Sequence, residues 1–318
     1  MSTPAEDDLP DHVADADLAP AEAFALLGNE TRIEILQALH EETVERESDA
    51  PVPFSALYDR VDIDDSAHFN YHLKQLLDHF VRKTDDGYVF RTPGWKVVRS
   101  VFAGTFTGRA EVGPVDAPGD CYACGGPLRA TYAEERLTID CGDCGRQHVH
   151  YSFPPGGLDG RRPAEFLDAF HHHVRHHYCL AADGVCPECM GQMRTELDAD
   201  TELPGQEVAV RHVCGRCDNR LTSAVGLNLL DTAAVLTFHA DRGVDLTTQP
   251  FWTHDWCVSD ERTTVESADP VTVRLDIPCD GDVLSVTLDE TLSVLDVEVT
   301  EDADPDAAGD DRTAALDA

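Results

Sequence analysis

SAHFNYHLKQLLDHFVRKTDDGYVFR, residues 66–91, holds two periodicities back to back. Phe69, Leu73, Leu76, Leu77 and Phe80 recur at spacings of 4, 3, 1 and 3, the stripe of an amphipathic helix that Ser66 or Asp65 can cap. Behind it, Asp86-Gly87 stands between two short β-prone runs, which predicts a tight hairpin. With the stripe turned inward, Ala67, His68, Asn70, Tyr71, Lys74 and Gln75 fall outward or lateral at about 100° per residue. Such side chains, with Ser66 at the helix start, can address base edges or phosphates.

Upstream, Ala21 to Leu27 reads as a short apolar helix, and Asn29 can cap a second in which Ile33, Leu36 and Leu39 recur every three residues. Pro53 precedes a third, Phe54 to Val61. Downstream, Trp95 to Phe106 is predicted as a last helix carrying Val98, Val101 and Phe102 on one side. The three helices before the hairpin, the last of them amphipathic, give a helix-turn-helix whose hairpin can reach flanking backbone.

Charge tests that reading. The 318 residues carry 61 Asp and Glu against 24 Lys and Arg, a net −37, which on its own argues against nucleic acid as a partner. The acids are spread along the chain and only three lysines occur, a composition resembling that of salt-in halophiles. In molar salt the Debye length is about 3 Å, so distant charges matter little. From Ser66 to Arg99 the cations Lys74, Arg82, Lys83, Arg91, Lys96 and Arg99 face only Asp78, Asp85 and Asp86, and all three lysines lie here. This island of +3 supplies local cations of the kind that phosphate contacts need.

Taken together, FALLGNETRIEILQAL (24–39), FNYHLKQLLDHFV (69–81) and DDGYVFRTPGWKVV (85–98) resemble the ArsR-type winged helix-turn-helix of archaeal, especially haloarchaeal, transcriptional regulators. The resemblance covers residues 20–106. It implies that Asn70 to Leu73 lie on a DNA-reading helix, that Arg82 to Arg91 form the wing, and that flanking helices such as Trp95 to Phe106 make a homodimer. Candidate DNA contacts are therefore Ser66, His68, Asn70, Tyr71, Lys74, Arg82, Lys83 and Arg91, with double-stranded DNA as the partner. Metal-sensing members carry cysteine pairs near that helix or His and Asp in the last one. Residues 1–120 hold no cysteine, so metal sensing inside this domain is not expected.

Beyond it, eight of the eleven cysteines fall in four C-x2-C pairs. Cys121, Cys124, Cys141 and Cys144 have zinc-ribbon spacing; Cys186, Cys189, Cys214 and Cys217 repeat it with a longer interval. CYACGGPLRATY at 121 matches CPECMGQMRTEL at 186, and IDCGDC matches RHVCGRC 73 residues on, the excess fitting the polar insertion DADTELPGQE. Four soft ligands at tetrahedral corners suit zinc and close its coordination, so two structural zinc ions are expected. Which pairs converge is left open by the sequence.

The expected class is α+β. Residues 1–19 and 301–318 read as disordered acidic tails, 20–106 as the winged helix-turn-helix and 107–120 as a linker. Residues 121–180 and 181–243 read as ribbon-plus-helix modules, and 244–300 as an antiparallel β segment of a hairpin plus a third strand, where a protein or small-molecule effector could bind. No apolar run reaches the roughly 18 residues of a membrane span, and the acidic start lacks a signal peptide's basic region, so a cytoplasmic protein is expected.

HHHVRHHYC puts His172/His176 and His173/His177 at i,i+4, a spacing that can share a metal; without HExxH it reads as a solvated or interface face. Cys179, Cys257 and Cys279 read as core thiols, and Phe251, Trp252 and Trp256 as packing between modules. With no phosphate-binding glycine loop or nucleophile elbow, a regulator rather than an enzyme is expected. The competing readings are a winged-helix and zinc-ribbon interaction module of the transcription or RNA-processing machinery that does not read DNA, and a metal-dependent enzyme using His171 to His177.

Overall fold

The computed structural model describes residues 18–46, 50–198 and 206–301. They form a mixed α+β chain with eight α-helices and antiparallel sheets, dividing into two compact units between Gly108 and Arg109. Apart from Leu18, Ala19 and Glu301, the two expected tails lie outside the described residues.

In the first unit the helices are α1 (Pro20–Leu27), α2 (Glu30–Glu45), α3 (Phe54–Arg60) and α4 (Ser66–Leu76). The hairpin β1 (Val81–Lys83) and β2 (Tyr88–Phe90) and then α5 (Thr92–Phe102) follow. Asn29 and Asp65 cap as anticipated, their side chains accepting from the Arg32 N–H at 3.1 Å and the Ala67 N–H at 2.8 Å. Leu77 is extended and Asp78 has φ 65°, so α4 stops at Leu76 and Leu77 packs from outside the helix. The last helix begins at Thr92 rather than Trp95, since Pro93 suits a first turn, and ends at Phe102 rather than Phe106, with Gly104 left-handed at φ 70° just beyond it.

Ile35, Leu36 and Leu39 of α2, Leu57 of α3, and Phe69, Leu73 and Leu76 of α4 close one core with Val52, Val81 and Tyr88. Val52 exchanges two N–H···O bonds of 2.9 Å with Tyr88, adding a third rung beside the hairpin. Gly87 permits this approach: its φ is 151°, and a Cβ there would lie 2.3 Å from the Val52 carbonyl oxygen.

The second unit opens with a strand where a linker was expected. Residues 107–120 contain β3 (Val112–Asp120), which pairs with β4 (Pro127–Ala133), followed by β5 (Arg136–Cys141) and β6 (Gln147–Ser152). Its two prolines and two glycines read as a turn, yet β3 is an edge strand whose register shifts twice, between Val112 and Val115 and between Ala117 and Asp120. Edges and bulges are where a sheet tolerates proline. The 20-residue α6 (Pro163–Ala182) comes next, then β7 (Met193–Asp198), β8 (Ala209–Cys214) and β9 (Arg220–Ser223) as a three-stranded sheet. After α7 (Ala233–Ala240) and α8 (Asp255–Val258), a four-stranded meander runs through β10 (Thr263–Ala268), β11 (Val271–Cys279), β12 (Asp282–Asp289) and β13 (Val294–Thr300). That is one strand more than expected.

These pieces share a single core rather than one per module. Phe166, Leu167, Phe170, Val174, Tyr178 and Ala181 line the buried face of α6 and join both cysteine-bearing sheets to Leu275, Ile277, Leu284 and Val286 of the meander. Phe251, Trp252 and Trp256 lie within it, each about 1% exposed, and the Trp252 indole N–H donates to the Pro118 carbonyl at 3.1 Å. Among the described residues no helix is long and apolar enough to cross a membrane.

Candidate metal centres and nucleic-acid interface

In the first unit, α4 buries Phe69, Leu73 and Leu76 and leaves Ser66, Ala67, His68, Tyr71 and Lys74 exposed, with Asn70 and Gln75 half-buried. Arg82 and Lys83 on β1 and Arg91 just past β2 are exposed as well. None of Lys74, Arg82, Lys83 and Arg91 forms an ion pair with a carboxylate among the described residues. Arg60, by contrast, is held by Glu41, Glu42 and Glu45. Four cations without such a partner among the described residues, in a chain of net −37, are available to an outside anion. A groove of about 610 Å³ runs between the start of α4 and the hairpin, lined by Ser66, Asn70 and Lys83. Asp85 and Asp86 also line it. One residue of α4 escaped the sequence pattern: His72 is buried with its Nε2 2.9 Å from His68 Nε2, and burial, then His68 and Arg32, lowers its pKa.

In the second unit each cysteine set converges within its own copy. Cys121 and Cys124 sit in the turn between β3 and β4, and Cys141 ends β5 with Cys144 following. Cys186 and Cys189 precede β7, and Cys214 ends β8 with Cys217 following. Sγ separations are 3.8 Å for Cys121–Cys144, 3.5 Å for Cys124–Cys141, 3.7 Å for Cys186–Cys217 and 3.5 Å for Cys189–Cys214. A tetrahedral ion with metal–sulfur bonds of about 2.3 Å needs sulfur–sulfur edges of about 3.8 Å. Both donor sets therefore fit one metal ion each.

The first cysteine of every pair is anchored in the core, at 3% exposure or less, while Cys124, Cys144 and Cys217 face solvent. Backbone N–H groups favour thiolates at the inner positions. The Cys144 N–H, with that of Asp143, draws Cys141 down to about 7, and the Cys217 and Arg216 N–H groups draw Cys214 to about 6. The outer thiols move the other way. The Gly126 N–H pulls Cys124 down, but its cysteine neighbours overcome this and push it up to about 12, as Cys217 is pushed despite the Asn219 N–H. Four clustered thiols resist full ionisation unless a cation joins them.

The residue after each outer cysteine lies in the left-handed region: Gly125 at φ 70°, Gly145 at 71°, Met190 at 59° and Asp218 at 57°. The turn geometry thus survives in the second copy without its glycines.

The histidine run divides. His171 is fully buried and accepts from the Phe251 N–H at 3.1 Å; His173 and His177 are half-buried, and His172 and His176 are exposed. Burial foremost lowers His171 and His173 to about 4, so both are neutral near pH 7. Among the described residues the run gathers no third ligand at metal-binding distance. Of the solvated or interface face expected, His172 and His176 are exposed, while His171, His173 and His177 are drawn into the packing of the second unit. Within the run, Arg175 carries no sequence pattern of its own. It is buried and paired with Asp231, which also accepts from the Cys179 thiol at 2.5 Å. Cys257 and Cys279 are core thiols, as expected, whereas Cys179 is only half-buried.

No curated protein matches the chain. Residues 20–101 match a family described as a domain of unknown function (DUF7347). Residues 118–294 match a second, and because that match spans more than half of the 318 residues, the chain belongs to the family described as domain of unknown function DUF7351.

Proposed function

We propose that the chain is a sequence-specific, DNA-binding transcriptional regulator of ArsR-like type. Residues 20–106 act as a winged helix-turn-helix, with α4 entering the major groove and the β1–β2 hairpin as the wing. The observation that carries this reading is the set of exposed cations on α4 and the hairpin that have no carboxylate partner among the described residues, in a chain otherwise dominated by acids. His68, Asn70 and Tyr71 would address bases, while Lys74, Arg82, Lys83 and Arg91 would address phosphates. Phe24, Phe102 and Phe106, each more than half exposed, support a homodimer. Residues 109–301 hold two structural zinc ions as ribbon-type sites and sense or recruit.

The test is duplex binding by the full chain across a KCl series, selecting from a random duplex pool. Lys74→Ala/Arg82→Ala/Arg91→Ala should weaken binding to all sequences and flatten the log–log salt dependence by about 0.9 for each phosphate that is no longer neutralised. Asn70→Ala should instead relax base preference at one position, costing about 1–3 kcal/mol. Unchanged affinity in the triple variant removes the reading.

A further inference from the structure

A cleft of about 900 Å³ opens in the second unit beside the first cysteine cluster. Its size suits a small organic molecule. Tyr151, Val174, Tyr178, Leu227 and Phe251 supply apolar wall, and among its lining residues there is no Asp or Glu. In a chain where 61 of 318 residues are acids, that exclusion is unusual.

His148 also lines the cleft. On the β5–β6 ladder Asp140 pairs with Gln147 and Ile139 with Val149, so His148 is the extra residue of a β-bulge. A bulge re-aims one side chain out of the alternation of its strand. Here it turns inward a histidine that is only 8% exposed and has no hydrogen-bond partner at either ring nitrogen. The Trp252 backbone faces the ring without closing a bond of normal geometry. Burial foremost, then Arg146, lowers the pKa of His148, so the ring is neutral and offers one donor and one acceptor. Leaving both unused in a buried place is costly unless a guest takes them.

Several neighbouring polar groups are already engaged, while Gln206 Oε1, which also lines the cleft, is a second buried acceptor with no partner among the described residues. Arg146 donates to the Tyr122 hydroxyl at 3.2 Å with its guanidinium over that ring, Tyr151 bonds His177 at 2.9 Å, and the Tyr178 hydroxyl donates to the Thr222 carbonyl at 2.9 Å. No carboxylate lines the cleft to balance a cationic guest. An anionic guest would be drawn by Arg146, which also lines the cleft, but opposed by the cluster of Cys124 and Cys144, which with four thiolates on a divalent ion carries a net −2 and outweighs that single positive charge. An uncharged guest meets neither penalty. We propose that this cleft binds a small, uncharged, planar ring compound carrying both a hydrogen-bond donor and an acceptor, as in an aromatic amide or a heteroaromatic base, with His148 as its polar anchor. This deepens the sensing role proposed for residues 109–301.

Benzamide, benzoate and benzamidine share one shape and differ in charge, so titrating each into the full chain with 15N-labelled histidine tests the claim. Benzamide should saturate with Kd of about 1 mM, independent of KCl, and move the His148 ring resonances, while both charged analogues bind at least about tenfold more weakly. His148→Phe should lose about tenfold, and His148→Gln, which keeps a donor and an acceptor, should stay within about threefold. Unchanged metal content reports that each variant is folded. Unmoved His148 resonances in the unsubstituted chain, full affinity in His148→Phe, or tighter binding of either charged analogue would overturn the proposal. Duplex binding measured on the same samples separates its failure from failure of the regulatory reading.

Discussion

Stripping the metal from the two cysteine clusters is expected to unfold residues 109–301 while the first unit stays folded. Cys121, Cys141, Cys186 and Cys214 are packed into the core that also holds Leu128, Ile139, Phe170 and Trp252. Losing either ion therefore disturbs the shared interior rather than one knuckle. A structural zinc ion contributes about 10–16 kcal/mol of folding free energy, whereas a whole domain is stable by about 5–15 kcal/mol. One vacancy is enough to exceed the margin.

Cys141→Ser should lower the metal content by at least one ion per chain and, in a Trp95→Phe background, abolish the cooperative transition reported by tryptophan fluorescence, because the remaining Trp252 and Trp256 are both buried in this core. Helical circular dichroism from the first unit, which contains no cysteine, should persist. A metal-free chain that still shows the cooperative transition of Trp252 and Trp256 in the Trp95→Phe background would show the clusters to be dispensable.

The helices and the hairpin of the first unit were legible because each carries its own local signal. Asn29 and Asp65 cap, Phe69, Leu73 and Leu76 keep helical spacing, and Asp86-Gly87 turns the chain. The cysteine clusters were legible for the same reason, ligand spacing being a local property. What escaped depends on partners distant in sequence. The strand Val112–Asp120 carries turn residues throughout and is a strand only because β4 lies beside it and the turn of residues 251–253 packs on its Gly119. Arg175 looks like one more polar residue in a histidine run until Asp231, 56 residues away, meets it. His148 sits beside Val149 in a short strand, and only the register of β5 against β6 reveals the bulge that turns it inward.

Asp231→Asn is expected to cost about 3–5 kcal/mol, an effect second only to loss of a metal ion. The Arg175 side chain is 3% exposed, and its guanidinium donates to the Asp231 carboxylate through Nε at 3.0 Å and through Nη2. It donates further to the Leu246 carbonyl and, at 3.3 Å, to that of Leu230. Removing the carboxylate charge leaves a buried cation with carbonyl dipoles alone. Asp231, about 40% exposed, is the partner that water can still reach. Arg175→Met should therefore cost less than Asp231→Asn: the orphaned carboxylate solvates, and the methionine stem refills part of the volume, leaving two carbonyls to be satisfied. In the double variant the cost should fall well short of the sum, since neither charge is then left alone. Because the Arg175 end of the pair is buried, raising KCl should change these differences less than those at a pair exposed on both sides such as Arg220–Asp218. Denaturant unfolding of the four chains at two KCl concentrations measures the cycle. Additive costs, or an Asp231→Asn cost below about 1 kcal/mol, would mean that the guanidinium finds enough compensation from the carbonyls and that α6 is held by its apolar face alone.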